Sequence, residues 1–230
     1  MNTLATRLLK FHTSLNPRIK LPRGVEVMNP YRDDPAALNC LTLFLEKFYA
    51  DNLPRHLILG INPGRFGSGV TGVAFTDTKR LKKDCGIPYS GPESHEPSSV
   101  FIYEMIEAFG GTENFYRKIY INSICPLGFT ILNKHGRKVN YNYYDDAELL
   151  KAATPFMIQS VRQLIAAGME TGKAFCFGTG KNAAIIKKLN DQEGFFDQII
   201  PLEHPRYIMQ YKATSKMEYI DKYLEAFSGL

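Results

Sequence analysis

The sequence predicts an α/β fold of three layers, α/β/α, with helices on both faces of a central, mainly parallel four-stranded sheet. The first observation is a set of four short apolar runs, typical of buried parallel strands, at residues 56–61, 118–124, 173–178 and 195–202. The second is that stretches with helical periodicity separate these runs. The third is size, because 230 residues, 44% of them hydrophobic, can bury one substantial core. We therefore expect a single domain over residues 1–230.

Apolar residues at three-to-four spacing predict the helices. These are expected at residues 1–15, 35–50, 78–85, 98–109, 145–167, 180–189 and 213–227. Asp34 is available to cap the second helix, and Ser98 or Ser99 starts the fourth. The segments 16–34 and 86–97 have no clear period and are expected to be loops. The segment 128–144 is polar and irregular, with a nucleic-acid-binding surface or an ordinary exposed hairpin as the two interpretations.

The first strand, 56–61, ends in a loop with many glycines. Gly60, Gly64, Gly67, Gly69 and Gly72 fall in or beside this loop. In an open α/β sheet, ligands bind beyond the carboxyl ends of the strands, and glycine lets backbone approach a ligand closely. The loop is therefore predicted to form the wall of a binding site.

A second glycine-rich turn, Gly178-Thr179-Gly180-Lys181, follows the third strand and opens a helix. It matches a nucleotide phosphate loop poorly, because it lacks the four-residue spacer before Gly-Lys and has Asn182 where Ser or Thr would meet magnesium. A structural role is the favoured interpretation, although amides at this helix start could contact a DNA phosphate.

Composition sets outer limits on function. The net charge of +5 suits a polyanionic partner without proving one. The four cysteines lie far apart without a C-x-x-C pair, so we expect reduced thiols, no iron–sulfur cluster, no metal and a cytoplasmic location without a secretory leader. No apolar run approaches the ~18 residues that a membrane-spanning helix needs.

Three motifs follow predicted strands in order along the chain. Gly60 to Phe75 reads G-x-N-P-G-x-F-G-x-x-x-T-G-V-x-F, the string Ile-Cys-Pro-Leu occupies 124–127, and His-Pro-Arg occupies 204–206. Together they resemble the uracil-DNA glycosylase superfamily, and within it the single-strand-selective monofunctional uracil-DNA glycosylases, the SMUG enzymes. The resemblance implies a monofunctional enzyme without a cofactor. Such an enzyme flips a base out of DNA, hydrolyses its N-glycosidic bond and leaves an abasic site for base excision repair.

The resemblance places two catalytic residues, Asn62 and His204. Asn62 stands at the water-positioning position, where some relatives have an aspartate that also provides charge beside the sugar cation, so we expect slower chemistry here. His204 would donate a hydrogen bond to the base oxygen that becomes negative, for which it need not be charged. Without the motifs, a turn cap before Pro63 and a structural histidine at a strand end would be the favoured interpretations.

Gly64, Ser68, Phe75 and Ser123 are predicted to bind the base. By the resemblance, Phe75 stacks on it and Gly64 and Ser68 offer backbone amides, although Phe75 also fits a core position. SMUG enzymes carry an asparagine where this chain has Ser123, and Asn122 points to the opposite face unless a bulge intervenes. Because a serine hydroxyl can donate or accept, we predict relaxed specificity for uracil, xanthine and hypoxanthine.

The segment after His204 is predicted to be the DNA wedge, through Arg206, Tyr207, Ile208 and Met209. Arg206 and Tyr207 are the first choices for insertion, and a surface turn is the alternative. The expected partner of this monomer is DNA, single- or double-stranded, and not a membrane. Two basic segments, 78–85 and 134–138, are weaker candidates for phosphate contacts, since exposed basic residues usually form a solvated surface.

Two other functions stay open at this point. One is a catalytically inactive nucleic-acid-binding domain of the same fold, which intact Asn62 and His204 disfavour. The other is a nucleoside or nucleotide N-glycosidase, which the predicted wedge disfavours.

Overall fold

The computed structural model describes residues 2–230 and has the predicted three-layer architecture. Met1, the expected first residue of the first helix, lies outside the described residues. The strands are β1 Val25–Met28, β2 His56–Gly60, β3 Ile119–Ser123, β4 Gly128–Leu132, β5 Lys138–Tyr141, β6 Lys173–Phe177 and β7 Gln198–Leu202. The α-helices are α1 Leu4–Thr13, α2 Pro30–Asp33, α3 Pro35–Phe48, α4 Ser68–Thr71, α5 Thr78–Lys83, α6 Pro97–Ala108, α7 Thr112–Lys118, α8 Ala147–Gly168, α9 Lys181–Glu193, α10 Pro205–Tyr211 and α11 Lys216–Ala226. Within these residues, no helix has the length and apolar character needed to cross a membrane.

The central sheet has four strands, all parallel, which confirms the predicted four-stranded, mainly parallel sheet. The strand order is β3-β2-β6-β7. The register pairs Gly60 with Ser123, so the carboxyl ends of β2 and β3 lie side by side. Phe177 likewise pairs with Leu202, so the carboxyl ends of β6 and β7 also lie side by side. The polar segments that follow β2, β3 and β7 therefore meet at one edge of the sheet.

Helices cover the two faces of this sheet. Tyr120 is in register with Leu57 on one face, and Phe175 is in register with Ile58 on the other, because successive residues of a strand point to opposite sides. On the first face, the ring of Tyr49, just after α3, lies 5.4 Å from that of Tyr120. On the second, the ring of Phe227, just after α11, lies 4.8 Å from that of Phe175. The core is thus two apolar layers separated by the sheet.

A second sheet, antiparallel and three-stranded, has the order β1-β4-β5 and was not predicted. Segment 16–34 was expected to be a loop, but Val25 pairs with Ile131. Segment 128–144, for which an exposed hairpin was one interpretation, forms the antiparallel pair β4-β5, in which Phe129 pairs with Tyr141. The strands were missed because they are short and partly exposed, and β1 finds its partner more than a hundred residues away in the chain. Its central strand, β4, begins five residues after the end of β3, which brings this sheet to the same edge of the central sheet.

Several strands begin at other residues than predicted. The second central strand begins at Ile119 because Thr112–Lys118 forms α7, and the last begins at Gln198. Asp34 caps α3 as expected, since its side chain accepts hydrogen bonds from two backbone N–H groups in the first turn. All four cysteines are buried free thiols.

Candidate active site

A pocket of about 310 Å³ opens at the carboxyl edge of the central sheet. It collects most of the residues predicted from the sequence, namely Asn62, Gly64, Ser68, Phe75, Ser123, His204, Arg206 and Tyr207. They come together because Asn62 follows β2 by two residues, Ser123 ends β3, and His204 follows β7 by two residues. Parallel strands place these three chain positions at one edge.

The Asn62 side chain is held at both ends of its amide by the segment at and after β5. Its Nδ2 donates a hydrogen bond to the Tyr141 carbonyl at 3.2 Å, and its Oδ1 accepts one from the Tyr143 N–H at 3.1 Å. These two bonds fix which end of the amide is oxygen. Because an amide oxygen has two lone pairs, Oδ1 can still accept a hydrogen bond from a water molecule. The unpredicted antiparallel sheet therefore orients the predicted water-positioning residue.

His204 is uncharged near pH 7, and its hydrogen bond shows which ring nitrogen carries the hydrogen. Its Nδ1 accepts a hydrogen bond from the Arg206 N–H at 3.1 Å at the start of α10, so Nε2 bears the hydrogen. Burial, with a smaller effect from the Arg206 charge, lowers the pKa of His204 to about 4. The residue is thus a fixed, uncharged N–H donor at the pocket.

Phe75 lies in the pocket on a turn, not on a strand. Its φ is 53°, a left-handed conformation that residues other than glycine seldom adopt. The ring lies 5.7 Å from that of His204 and 5.0 Å edge-on from that of Phe177. Gly60 makes this position possible, because a Cβ there would lie 2.9 Å from the Phe75 ring. The half-buried ring packs against the core and also lines the pocket, where it offers an aromatic surface to a ligand. The alternative is therefore wrong in placing Phe75 on a strand but not in giving it core contacts.

Ser123 and Asn122 face opposite sides, as the strand alternation predicts. The pairing of Leu59 with Asn122 and of Gly60 with Ser123 is regular and holds no bulge. Ser123 lines the pocket. Asn122 instead borders a small internal cavity that His12 and Tyr120 also line. The hydroxyl of Ser123, and not an amide, is therefore the polar group of β3 available to a ligand.

The predicted wedge residues separate into two groups on α10. Arg206 and Tyr207 are exposed and line the pocket, whereas Ile208 has no exposed surface and Met209 is half-buried against the core. The prediction that Ile208 contacts DNA is therefore wrong, and the Met209 side chain lies mainly against the protein. Ile208 and Met209 do not share the exposed face of Arg206 and Tyr207, because helix residues one and two places apart point in different directions.

Several lining residues were not among the predicted site residues. They are Ile61, Pro63, Ala74, Glu96, Ser98, Asn140, Asn142, Tyr144, Gln210 and Tyr211. Gln210 and Tyr211 belong to the segment after His204 that was predicted to be the wedge, and they lie one helical turn beyond Arg206 and Tyr207. Glu96 comes from a segment expected to be a loop and Asn140 from the irregular segment 128–144, and no local signal marks either residue.

Other candidate groups have structural explanations. Tyr143 is buried, and its hydroxyl donates a hydrogen bond to Asn182, whose amide also bonds the Phe177 carbonyl. Asn182, which directly follows the Gly178–Lys181 turn, is thus buried and has a structural role. Lys82 and Lys138 form ion pairs with Glu93 and Glu26. Across residues 2–230, no cluster of three or more His, Cys, Asp or Glu side chains is arranged to hold a metal ion.

Comparisons with known proteins bear on this site. The family model of the uracil DNA glycosylase superfamily matches residues 46–228. The crystal structure of wild-type SMUG2 from Pedobacter heparinus is similar, with 52% sequence identity and a TM-score of 0.96 over 99% of this chain and 97% of that chain. A search of curated proteins gives no match.

Proposed function

The chain belongs to the uracil DNA glycosylase superfamily as a SMUG-like member, and from this premise we propose that it hydrolyses the N-glycosidic bond of uracil, xanthine and hypoxanthine in DNA. The product would be an abasic site for base excision repair, and the backbone would stay intact. The supporting observation is that Asn62 and His204 line one pocket with Phe75, at the carboxyl edge of the sheet.

Hydrolysis of this bond builds positive charge on the deoxyribose and negative charge on the departing base. Water adds to C1′ of the sugar, and the electron pair of the C–N bond leaves with the base. Asn62 Oδ1 is oriented to accept a hydrogen bond from that water, which holds it in place. The N–H of neutral His204 would stabilise the base oxygen on which negative charge collects. Neither residue needs to change its charge during the reaction.

Two features of the pocket support a substrate range beyond uracil. Ser123 Oγ can rotate between donating and accepting hydrogen bonds, so it does not demand one pattern of base edge. Gly64 adds no side chain to the wall. We expect Ser123→Asn to shift activity toward uracil, since an amide in a fixed orientation reads both an acceptor and a donor. Ser123→Ala is the matched control, because it removes the hydroxyl without filling space. An unchanged ranking of the three bases in Ser123→Asn would contradict this explanation.

DNA is the proposed macromolecular partner, and the exposed face of α10 supports it. Arg206, Tyr207 and Tyr211 combine a cation with aromatic rings at the mouth of the pocket. Phosphate contacts and base stacking use this combination. Action as a monomer and a cytoplasmic location stay predictions from the sequence.

The proposed function is tested by cleavage of end-labelled oligonucleotides that carry uracil, xanthine or hypoxanthine, with alkali treatment afterwards to break abasic sites. We expect wild-type protein to give alkali-dependent cleavage. Asn62→Ala should lower the single-turnover rate about 100-fold or more, because the water loses its position. Asn52→Ala, an exposed residue outside the pocket, is the matched control. Absence of cleavage at all three bases would rule out the proposed activity.

His204 has its own test under the same conditions. His204→Ala should lower the single-turnover rate about 100-fold or more, as the loss of one donor to a developing negative charge typically does. The dissociation constant for uracil-containing DNA should change much less. Equal losses in rate and in affinity would mean that His204 binds DNA but does not assist the chemistry.

A further inference from the structure

Glu96 brings a carboxyl group into the pocket that the steps above do not use. It lines the pocket from the residue before α6 and is half-buried. A Cβ added at Gly67 would lie 1.8 Å from Glu96 Oε2, and one added at Gly64 would lie 3.5 Å from Oε1. The carboxyl group therefore occupies the space that a side chain at Gly67 would need, and it lies within contact distance of position 64.

The Glu96 carboxyl group takes no part in the hydrogen bonding of the described residues. It stands at the N-cap position of α6, yet its carboxyl group makes no cap hydrogen bond. Its backbone N–H donates to Asp77 Oδ2 at 3.0 Å, but between residues 2 and 230 no hydrogen bond reaches its side-chain oxygens. A half-buried carboxyl group without a partner, at the wall of a pocket, is free to bond a ligand.

The charged groups around Glu96 favour its protonated form. Asp77 is fully buried, and it stays ionised because it accepts hydrogen bonds from Arg80 N–H, Glu96 N–H and the Ser99 hydroxyl, which together lower its pKa despite burial. His95 lies 3.4 Å from the same carboxylate.

Arg206 on α10 is the opposing cation, and His204 on the same helix start is neutral. Burial of the Glu96 carboxyl group has the larger effect on its pKa and the charge of Asp77 the smaller one. Together they raise the pKa of Glu96 to about 7. A carboxyl group with this pKa can donate a proton at neutral pH.

We propose that Glu96 is the general acid for purine bases in this pocket, donating its proton to N7 of hypoxanthine or xanthine as the base departs. Uracil has no fused imidazole ring and hence no N7. This inference rests on the proposed function and names the residue that extends it to purines. The glycines at 64 and 67 add no side chain to the wall beside the Glu96 carboxyl group, which leaves that group in the lining of the pocket.

The proposed step is balanced as follows. The C1′–N9 bond breaks, and its electron pair stays with the purine. The proton of Glu96 moves to N7, so that the purine leaves as a neutral molecule and Glu96 becomes a carboxylate. Water held by Asn62 forms the new bond to C1′ and releases one proton to solvent, and Glu96 regains a proton from solvent. With uracil, the leaving group instead keeps its negative charge and depends on His204.

The test compares single-turnover excision of hypoxanthine and uracil from otherwise identical oligonucleotides between about pH 6 and pH 8. In the wild type, we expect the hypoxanthine-to-uracil rate ratio to fall roughly tenfold over this range as Glu96 loses its proton. Glu96→Gln should flatten that pH profile, because an amide does not titrate. Glu96→Ala should lower hypoxanthine excision about tenfold more than uracil excision.

Glu93→Gln is the matched control on the same segment, because Glu93 is exposed, pairs with Lys82 and lies outside the pocket. It should keep the wild-type ratio and profile, and melting curves establish that each variant is folded. Equal losses on both bases in Glu96→Ala, or an unchanged pH profile in Glu96→Gln, would overturn the role of Glu96. Excision of uracil without any excision of purines would also overturn it. Absence of excision on every base would instead reject the proposed function itself.

Discussion

At the scale of single residues, the absence of a side chain at Gly64 decides the size of the pocket. A Cβ there would meet Asn140 Nδ2 at 3.4 Å and Glu96 Oε1 at 3.5 Å, which are ordinary contacts. Gly64→Ala should therefore be tolerated. The ring of Gly64→Tyr would project between Asn140 and Glu96 and fill the space proposed for the base. We expect Gly64→Tyr to lower excision of all three bases about 100-fold or more, with the single-turnover rate as the measurement.

The melting temperature of both Gly64 variants is the control, since the substitution lies in a loop and should leave folding intact. A Gly64→Tyr protein with wild-type activity would show that the base does not pass this position. The same result would remove the main support for Glu96 as a neighbour of the base, because both arguments place the ligand beside this wall.

The residues of the site differ in how far the sequence could predict them. Asn62 and His204 each follow an apolar strand within a motif, and parallel strands bring such positions together, so their meeting was predictable. The role of Glu96 was not predictable, because it depends on the shape of a turn-rich segment and on its approach to Gly67. The hydrogen bonds that Asn62 makes with the Tyr141 carbonyl and the Tyr143 N–H were missed for a similar reason, since these groups lie at and after the end of a strand that was not predicted.

At the scale of secondary-structure elements, the parallel sheet was predictable and the antiparallel one was not. Three of the parallel strands, β2, β3 and β6, are buried apolar runs, and β3 is buried at all five positions. The edge strand β7 has one buried residue of five, but its run of apolar residues still gave a local signal. In β5, by contrast, exposed and half-buried residues alternate, and β1 has one fully buried residue of four. Such strands are stabilised by partners distant in the chain, so their formation depends on the tertiary fold. The missed sheet matters for function, because β5 leads into the backbone that holds Asn62.

The buried and exposed residues of the short helix α10 have different roles. Ile208 anchors the helix in the core, while Arg206 and Tyr207 face outward at the pocket. The rings of Tyr207 and Tyr211 lie 5.5 Å apart, and the side chains are 43% and 64% exposed. We expect this exposed aromatic pair, together with the neighbouring Arg206, to contact the DNA or to insert into it.

We expect Arg206→Ala and Tyr207→Ala to weaken binding of uracil-containing duplex DNA without unfolding the protein. Loss of a stacking ring typically costs about 1–3 kcal/mol, so the dissociation constant with Tyr207→Ala should rise roughly 5-fold to 150-fold. Ile208→Ala should behave differently and lower the free energy of unfolding by about 2–5 kcal/mol, because it leaves a cavity. Fluorescence anisotropy and urea unfolding measure the two effects.

Met217→Ala is the matched surface control for these variants. Met217 is 58% exposed on α11 and lies outside the pocket, so neither DNA affinity nor stability should change appreciably. If Arg206→Ala and Tyr207→Ala bound duplex DNA as tightly as the wild type, α10 would be a surface helix without a role in the wedge.

At the scale of the whole molecule, α1 is joined to the central sheet through a buried histidine. His12 is 3% exposed, and its Nε2 lies 2.7 Å from the Tyr120 hydroxyl on β3. Its Nδ1 has no hydrogen-bond partner among the described residues. Burial lowers the pKa of His12 to about 3, because the charged imidazolium would lose its hydration. The packing of α1 on this face of the sheet therefore requires an uncharged histidine.

This requirement makes the stability of the protein depend on pH through His12. The unfolded chain protonates this residue near pH 6.5, whereas the folded protein does so only near pH 3, so between these values the unfolded state holds one more proton. The free energy of unfolding should accordingly fall as the pH falls, by up to about 1.4 kcal/mol per pH unit from His12 alone. Urea unfolding of the wild type and His12→Gln across this range measures the contribution as a difference, since other groups titrate equally in both. A smaller slope in His12→Gln is the expected result. Identical slopes would mean that His12 gains a charge inside the folded protein without penalty, and that its burial does not control how α1 docks on the sheet.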